Sequence, residues 1–210
     1  MKKIFIIYLI VNCFSIVISQ NDFSLSDLNP SSDTYGQSIG PSYFSNNIIV
    51  IGFFHEYWGT CRARFGLLND IYLDLQSQGI DDVKIIGVGK DQYLTSLEGM
   101  IDGRVLPWVQ DINSENYPVW NDFGASQRKV YILNYEGIIE TSFDITPYSP
   151  SNPDDVLSLT NLILSYREES NNCNTDEVDL WGECYNIQET TNITLEGNPV
   201  TGILDLGEIP

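Results

Sequence analysis

The chain has 210 residues, with 29 acidic against 10 basic side chains and a formal net charge of −19. That charge repels nucleic acid and anionic membrane surfaces, so a polyphosphate-binding class is excluded from the expectation. The 42% hydrophobic content is enough for one folded domain with appendages and too much for a disordered chain.

Residues 1–19 read as a secretory signal peptide. Lys2 and Lys3 form the charged start, an apolar stretch runs over 4–11, and Val17-Ile18-Ser19 offers a small-residue cleavage site. The run is too short and too polar for a membrane span, and no later segment is long and apolar enough for one. A lipid anchor at Cys13 has only a poor flanking motif in its favour. The expected location is therefore secreted or extracytoplasmic, periplasmic included.

Residues 21–47 are polar and rich in Ser, Asn, Gly and Pro. The continuous apolar run 48–54, IIVIGFF, suits a central strand buried on both faces. In 61–78, Phe65, Leu68, Ile71 or Tyr72, and Leu75 recur at three- and four-residue spacing and predict one buried helix face, with Gly79 as its stop. Residues 83–88 predict the next strand. Strand, helix and strand in that order imply a right-handed crossover and a parallel pair.

A second, weaker helix is expected over 92–101. An extended segment follows over 105–110, where Pro107 argues for an edge position. A helical turn is expected over 117–123. A hairpin follows, from strand 129–133 through a turn at 134–137 to strand 138–143. Asn152, Pro153 and the acids Asp154 and Asp155 then open a last helix over 156–167.

Between the first strand and the first long helix lies HEYWGTCRAR, residues 55–64. Cys61 falls in the first helical turn, where unpaired N–H groups and the helix dipole favour a thiolate, the reactive form of cysteine. Arg62 and Arg64 add to that field. His55, the only histidine, is a candidate proton acceptor for Cys61 or a structural residue at a strand end. A histidine-based metal site is not expected, and no Cys/His cluster has zinc spacing. Without residues 1–19 three cysteines remain, Cys61, Cys173 and Cys184. Cys173 and Cys184 most simply pair with each other, leaving Cys61 free. A bond from Cys61 to one of them is the alternative.

The pattern of strand, aromatic, short turn, cysteine and amphipathic helix resembles the active-site turn of the thioredoxin fold, aromatic-Cys-x-x-Cys. Here Tyr57-Trp58-Gly59-Thr60-Cys61 places Cys61 on the second cysteine and Trp58 on the first, the nucleophile. Together with the β-α-β-α-β-β-α order, the resemblance implies an α/β fold. That fold is a thioredoxin-like three-layer α/β/α sandwich with a central mixed sheet, over residues 20–169, plus an irregular C-terminal extension over 170–210. LPWVQD and VWNDFGASQRKVYILNYEG look like the selenoprotein P-like redoxins. In that comparison Trp58 is a lid, an inert replacement, or a selenocysteine codon read as tryptophan. Gln127-Arg128-Lys129 stands where many thioredoxins carry a cis-proline, so the backbone used there to hold a peptide is missing.

The resemblance implies a thiol-dependent oxidoreductase without a cofactor. Cys61 would act on a thiol or disulfide substrate, with Trp58 and Arg128 at the site and His55, Thr60 and Arg62 as auxiliaries. A dithiol cycle needs two sulfurs that can meet, and only one is present in the turn. The second expectation is therefore a non-catalytic extracellular module that binds a protein partner through its C-terminal extension. That extension carries NITLEGNPVTG and LDLGEIP, which look like leucine-rich repeat fragments. Asn192-Ile193-Thr194 is a glycosylation sequon for a eukaryotic secretory path.

Overall fold

The computed structural model describes residues 21–168 and two strands farther on, Glu177–Leu180 and Glu183–Asn186. The signal-peptide segment, Cys173, the sequon and the repeat-like fragments of 187–210 lie outside the described residues.

Two short strands, β1 (Leu25–Ser26) and β2 (Ser38–Ile39), pair antiparallel ahead of the main sheet. The apolar run forms β3 (Ile48–Phe53), all six residues buried. The first long helix, α1 (Gly59–Ser77), begins two residues before Cys61 and ends at Gly79, whose φ of 78° is the left-handed conformation a helix stop favours. Strand β4 (Val83–Lys90) returns parallel to β3, pairing Ile48 with Val83 through Phe53 with Val88.

The helix expected over 92–101 is broken. A 3-10 segment (Asp91–Ser96) gives way at Leu97 to α2 (Glu98–Ile101), a single turn with only Met100 buried. Leu94 faces solvent, and only Leu97, Met100 and Ile101 of the last turn pack on the core, so a longer helix has no continuous buried face. Strand β5 (Trp108–Asp111) starts directly after Pro107, parallel to β4, and is an edge strand of the five. Pro107, with no N–H to give, still contributes its carbonyl, which accepts from the Gly87 N–H (3.0 Å).

The short helix α3 (Pro118–Asp122) precedes β6 (Lys129–Leu133) and β7 (Ile139–Asp144), the expected antiparallel hairpin. Helix α4 (Pro153–Glu168) closes the domain. The Asn152 side chain accepts from the Asp154 N–H, and the Asp155 carboxylate accepts from the Ser149 N–H. A separate two-stranded pair, β8 (Glu177–Leu180) and β9 (Glu183–Asn186), lies in the extension.

The sheet order is β5-β4-β3-β6-β7, parallel from β5 to β3 and antiparallel from β3 to β7. Side chains alternate across it. Ile48, Val50 and Phe54 join Cys61, Phe65, Leu68, Leu159 and Ile163 under α1 and α4. Ile49, Ile51 and Phe53 join Val119, Trp120, Phe123 and Ile39 under α3 and the leading hairpin. Covering both faces is what makes a continuous apolar run stable as a strand. The result is the three-layer α/β arrangement expected from the sequence.

Gly87 sits where a Cβ would lie 2.4 Å from the Trp108 ring and 2.6 Å from the Phe65 ring. Its missing side chain lets both aromatics lie against the sheet. Gly87→Ala is expected to cost about 1–3 kcal/mol by overpacking, read as a lower urea midpoint with an unchanged slope. An unchanged midpoint would show that the aromatic layer repacks freely.

Candidate functional site

Residues 55–61 leave the buried end of β3 and enter α1, and the burial pattern changes abruptly there. Phe54 and Glu56 are fully buried, whereas Tyr57 is 70% and Trp58 54% exposed. Trp58 occupies the helix N-cap without a side-chain cap bond. Its N–H donates to the His55 carbonyl (3.2 Å), and its own carbonyl accepts from Arg62 (3.2 Å). Tyr57 and Trp58 meet edge to face at 6.3 Å. Two adjacent aromatics therefore stand in solvent where the turn would present its first sulfur. Thr60 is exposed beside them.

Cys61 is free and fully buried among Phe54, Phe65 and Val130 in the layer under α1 and α4. Gln127 Nε2 lies 3.1 Å from its sulfur. The arginines expected to assist the thiolate have other partners. Arg62 Nε donates to the Glu56 carbonyl (2.9 Å). Arg64 donates twice to the Thr146 carbonyl, at 3.2 and 2.8 Å.

Arg128 donates to the Thr146 hydroxyl (2.6 Å) and has a left-handed φ of 66°. Its N–H donates to the Phe53 carbonyl (2.7 Å), and its carbonyl accepts from Ile145 (3.0 Å). The Arg128 main chain thus ties the end of β3 to the end of β7.

His55 is not brought to Cys61. It lies across the sheet, stacked on Trp120 (5.2 Å between ring centres, 29°) and beside Tyr93 (5.0 Å). Its Nε2 is buried without a partner. Burial, then the charges of Lys90 and Arg128, hold its pKa below the usual histidine value. The separation is geometric, because His55 follows the period-two alternation that sends Phe53 to the α3 side.

Three residues that the sequence reading passed over shape the same corner. Glu56 follows Phe54 at spacing two and is carried under the turn. One carboxylate oxygen accepts from Gln110 Nε2 (2.7 Å), and Oε2 has no partner. Burial raises its pKa, against the opposing effect of the Gln110 hydrogen bond. Asp111, also buried, accepts from the Ile112 and Trp120 N–H groups (2.9 and 2.8 Å), fixing α3 to the sheet. Lys90 Nζ lies 4.3 and 4.4 Å from the ring centres of Tyr117 and Trp120, close enough for cation–π attraction. Among the described residues, no group of three or more His, Cys, Asp or Glu side chains is placed to hold a metal ion. No described helix is long and apolar enough to cross a membrane.

The chain matches no family model and no curated protein. Its structure is similar to solved thioredoxin-fold structures. One, assigned as the thiol:disulfide interchange protein DsbE from Chlorobium tepidum, aligns with a TM-score of 0.53 at 13% identity, over 70% of this chain and 94% of that one. The mitochondrial 2-cys peroxiredoxin from Plasmodium falciparum aligns at 0.52 and 16% identity, over 70% and 92%. BsSco, a member of the Sco family of cytochrome c oxidase assembly proteins, aligns at 0.52 and 14% identity, over 70% and 92%. These likenesses show the thioredoxin-like fold.

A histidine with a lowered pKa binds fewer protons in the folded than in the unfolded state near neutrality. Stability is therefore lost as pH falls through the unfolded value of 6.5 toward the lower folded value. His55→Phe, which keeps the stack on Trp120, is expected to remove that part of the acid-side loss. Urea unfolding of both proteins across this window checks it, and parallel curves would count against the linkage.

Proposed function

We propose that this chain is a thioredoxin-fold binding module that offers the turn around Tyr57 and Trp58 to a protein partner, without dithiol turnover. The observation that carries the reading is the inversion of exposure across the turn: the one sulfur is sealed in the core, and Trp58 stands where the attacking sulfur would be. Thiol–disulfide exchange begins with a thiolate reaching a disulfide sulfur, and a fully buried thiol has no such access. Large aromatics with low conformational entropy, placed in the open, are what protein interfaces use as anchors. We place the protein outside the cytoplasm, after removal of residues 1–19. We also give the acidic extension 170–210, with a bond between Cys173 and Cys184, a part in partner binding.

A second reading keeps Cys61 as a single redox thiol of the redoxin type. The Gln127 amide, which places a polar group 3.1 Å from its sulfur in an otherwise apolar layer, favours it. In that case Cys61 attacks a disulfide substrate, a mixed disulfide forms with release of one substrate thiolate, and an external thiol frees Cys61 by exchange.

Alkylation of Cys61 in the native, non-reduced protein separates the two. The binding reading expects labelling only at the rate of unfolding, with the acceleration on adding urea tracking loss of structure. Rapid labelling with a midpoint well below about 8.5, the free-cysteine value, would favour the redox thiol instead. Trp58→Cys supplies a second sulfur at the exposed position. It is expected to form a bond with Cys61 and to gain disulfide-reductase activity that the native chain lacks, measured by insulin precipitation with a thiol reductant. Activity of the native chain equal to that of the variant would sink the binding reading.

A further inference from the structure

The buried polar side chains of the domain are largely accounted for. Asp27 accepts from Asn29, Trp108 and Thr34. Asn29 donates to the Arg104 and Leu106 carbonyls. Asn69 accepts from Val105, and Asp111 holds α3. Glu56 stands apart, fully buried with one carboxylate oxygen left over.

Its seat is narrow. A Cβ on Gly89 would lie 2.2 Å from Oε1 and 2.6 Å from the Trp108 ring, so β4 leaves room for this carboxyl only because residue 89 is glycine. Glu56 is also the residue that joins β3 to the exposed pair Tyr57 and Trp58, and its main-chain carbonyl takes the Arg62 Nε–H. Side chain and main chain together fix the start of the turn.

We propose that Glu56 is the positioning residue of this turn: its neutral carboxyl, seated between Gly89, Trp108 and Gln110, holds Tyr57 and Trp58 outward, and loss of its proton to solvent releases 55–58. This deepens the reading of the turn as a contact surface and rests on it. The surroundings favour the neutral acid. From β5, Gln110 gives one neutral donor, and the Trp108 indole N–H faces the carboxyl without an aligned hydrogen bond.

From β4, the main chain at Lys90 faces the carboxyl, while the Lys90 ammonium is turned to Tyr117 and Trp120. From α1, the Arg62 guanidinium lies against Gly99 and bonds the Glu56 carbonyl, not its carboxyl. Tyr117 feels the charges of Glu56, Asp91 and Asp111 together, so an ionised Glu56 adds to a like-charged corner. His55 is on the other face of the sheet, against Trp120. Burial dominates the balance and pushes the carboxyl above its ordinary range. A buried charge without a counter-charge is relieved by moving to water.

Hydrogen exchange over 55–64, measured by mass spectrometry on the full chain, tests this without any partner. The readout is the ratio of wild-type to Glu56→Gln exchange at equal pH, which cancels the pH dependence of the exchange chemistry. Glutamine keeps the shape and neutrality of the protonated acid. The ratio is expected to stay near unity well below the ordinary glutamate value of 4.5, to climb above it, and to level off beyond the raised value of the seated carboxyl, about tenfold higher for each unit by which the pKa is raised.

Gln110→Met removes the donor that favours the ionised form and is expected to leave the onset of the rise in place while extending it to higher pH and a higher plateau, a change that loss of packing alone does not produce. A constant ratio across the range, or a Gln110→Met profile that does not move, would overturn the proposal. Either result leaves the alkylation and gain-of-activity tests of the binding reading standing, so the two failures are distinguishable.

Discussion

Strand β3 is hydrogen-bonded on both edges and covered on both faces, and the rest of the site takes its position from where that strand ends. Ile48 through Phe53 pair with β4 on one side, and Ile49 through Gly52 pair with β6 on the other. A strand so enclosed has no freedom of register, because a slip of one residue would exchange its two faces. The alternation therefore runs past the last ladder bond. Phe54 and Glu56 go to the α1 side, while Phe53 and His55 go to the α3 side. Only at Tyr57 does the chain escape the sheet. The exposed aromatic pair, the buried acid and the displaced histidine are three results of one constraint.

The same constraint settles the environment of Cys61. Helix α1 must lay Phe65, Leu68, Ile71 and Leu75 on the sheet, and a helix fixed over about three turns cannot rotate its first turn independently. Cys61 lies four residues before Phe65 and so shares its face. Its burial follows from helix packing, whatever its chemistry. The exposed position at the same helix start is Trp58, three residues earlier.

Most of the fold was legible from the sequence because hydrophobic period and chain punctuation carry it. The run 48–54, the stripe from Phe65 to Leu75, Pro107 before β5 and Asn152-Pro153 before α4 each encode a local decision that tertiary packing agrees with. The failure at 92–101 has the opposite cause. That stretch is weakly periodic, with Leu94 in solvent and Leu97, Met100 and Ile101 packed only at its end, so it settles as a 3-10 run and one helical turn. At the site, the helix start expected ahead of Cys61 is found, with Trp58 at the N-cap and Cys61 in the first turn. Arg62 and Arg64 are expected there by proximity in sequence and Arg128 by the loop that the fold brings beside the turn, and neither fixes where a long side chain ends. Arg62, Arg64 and Arg128 all go to main-chain or hydroxyl oxygens. Glu56 was legible in principle, as a charge at spacing two from a buried strand residue. Gln127 gave no signal at all, since its approach to sulfur depends on the left-handed turn at Arg128.

That left-handed residue shows how the corner holds together without a proline. A non-glycine residue with positive φ costs about 1 kcal/mol or more and persists where its surroundings over-determine it. Here the Arg128 N–H is bonded to Phe53, its carbonyl to Ile145 and its side chain to Thr146, whose carbonyl also takes both bonds from Arg64. The loop before β6 is thereby clamped to the end of β3 and to the first turns of α1 from the side opposite Glu56. One side of the turn is held through Thr146, whose N–H and hydroxyl both donate to the Asp144 carboxylate. The other is held by the Glu56 carboxyl on Gln110 and by Arg62 on the Glu56 carbonyl. Both flanks thus rest on a carboxyl group: at Asp144 desolvation is outweighed, chiefly by the bonds from Thr146, and the pKa is lowered, whereas at Glu56 desolvation outweighs the hydrogen bonds and raises it.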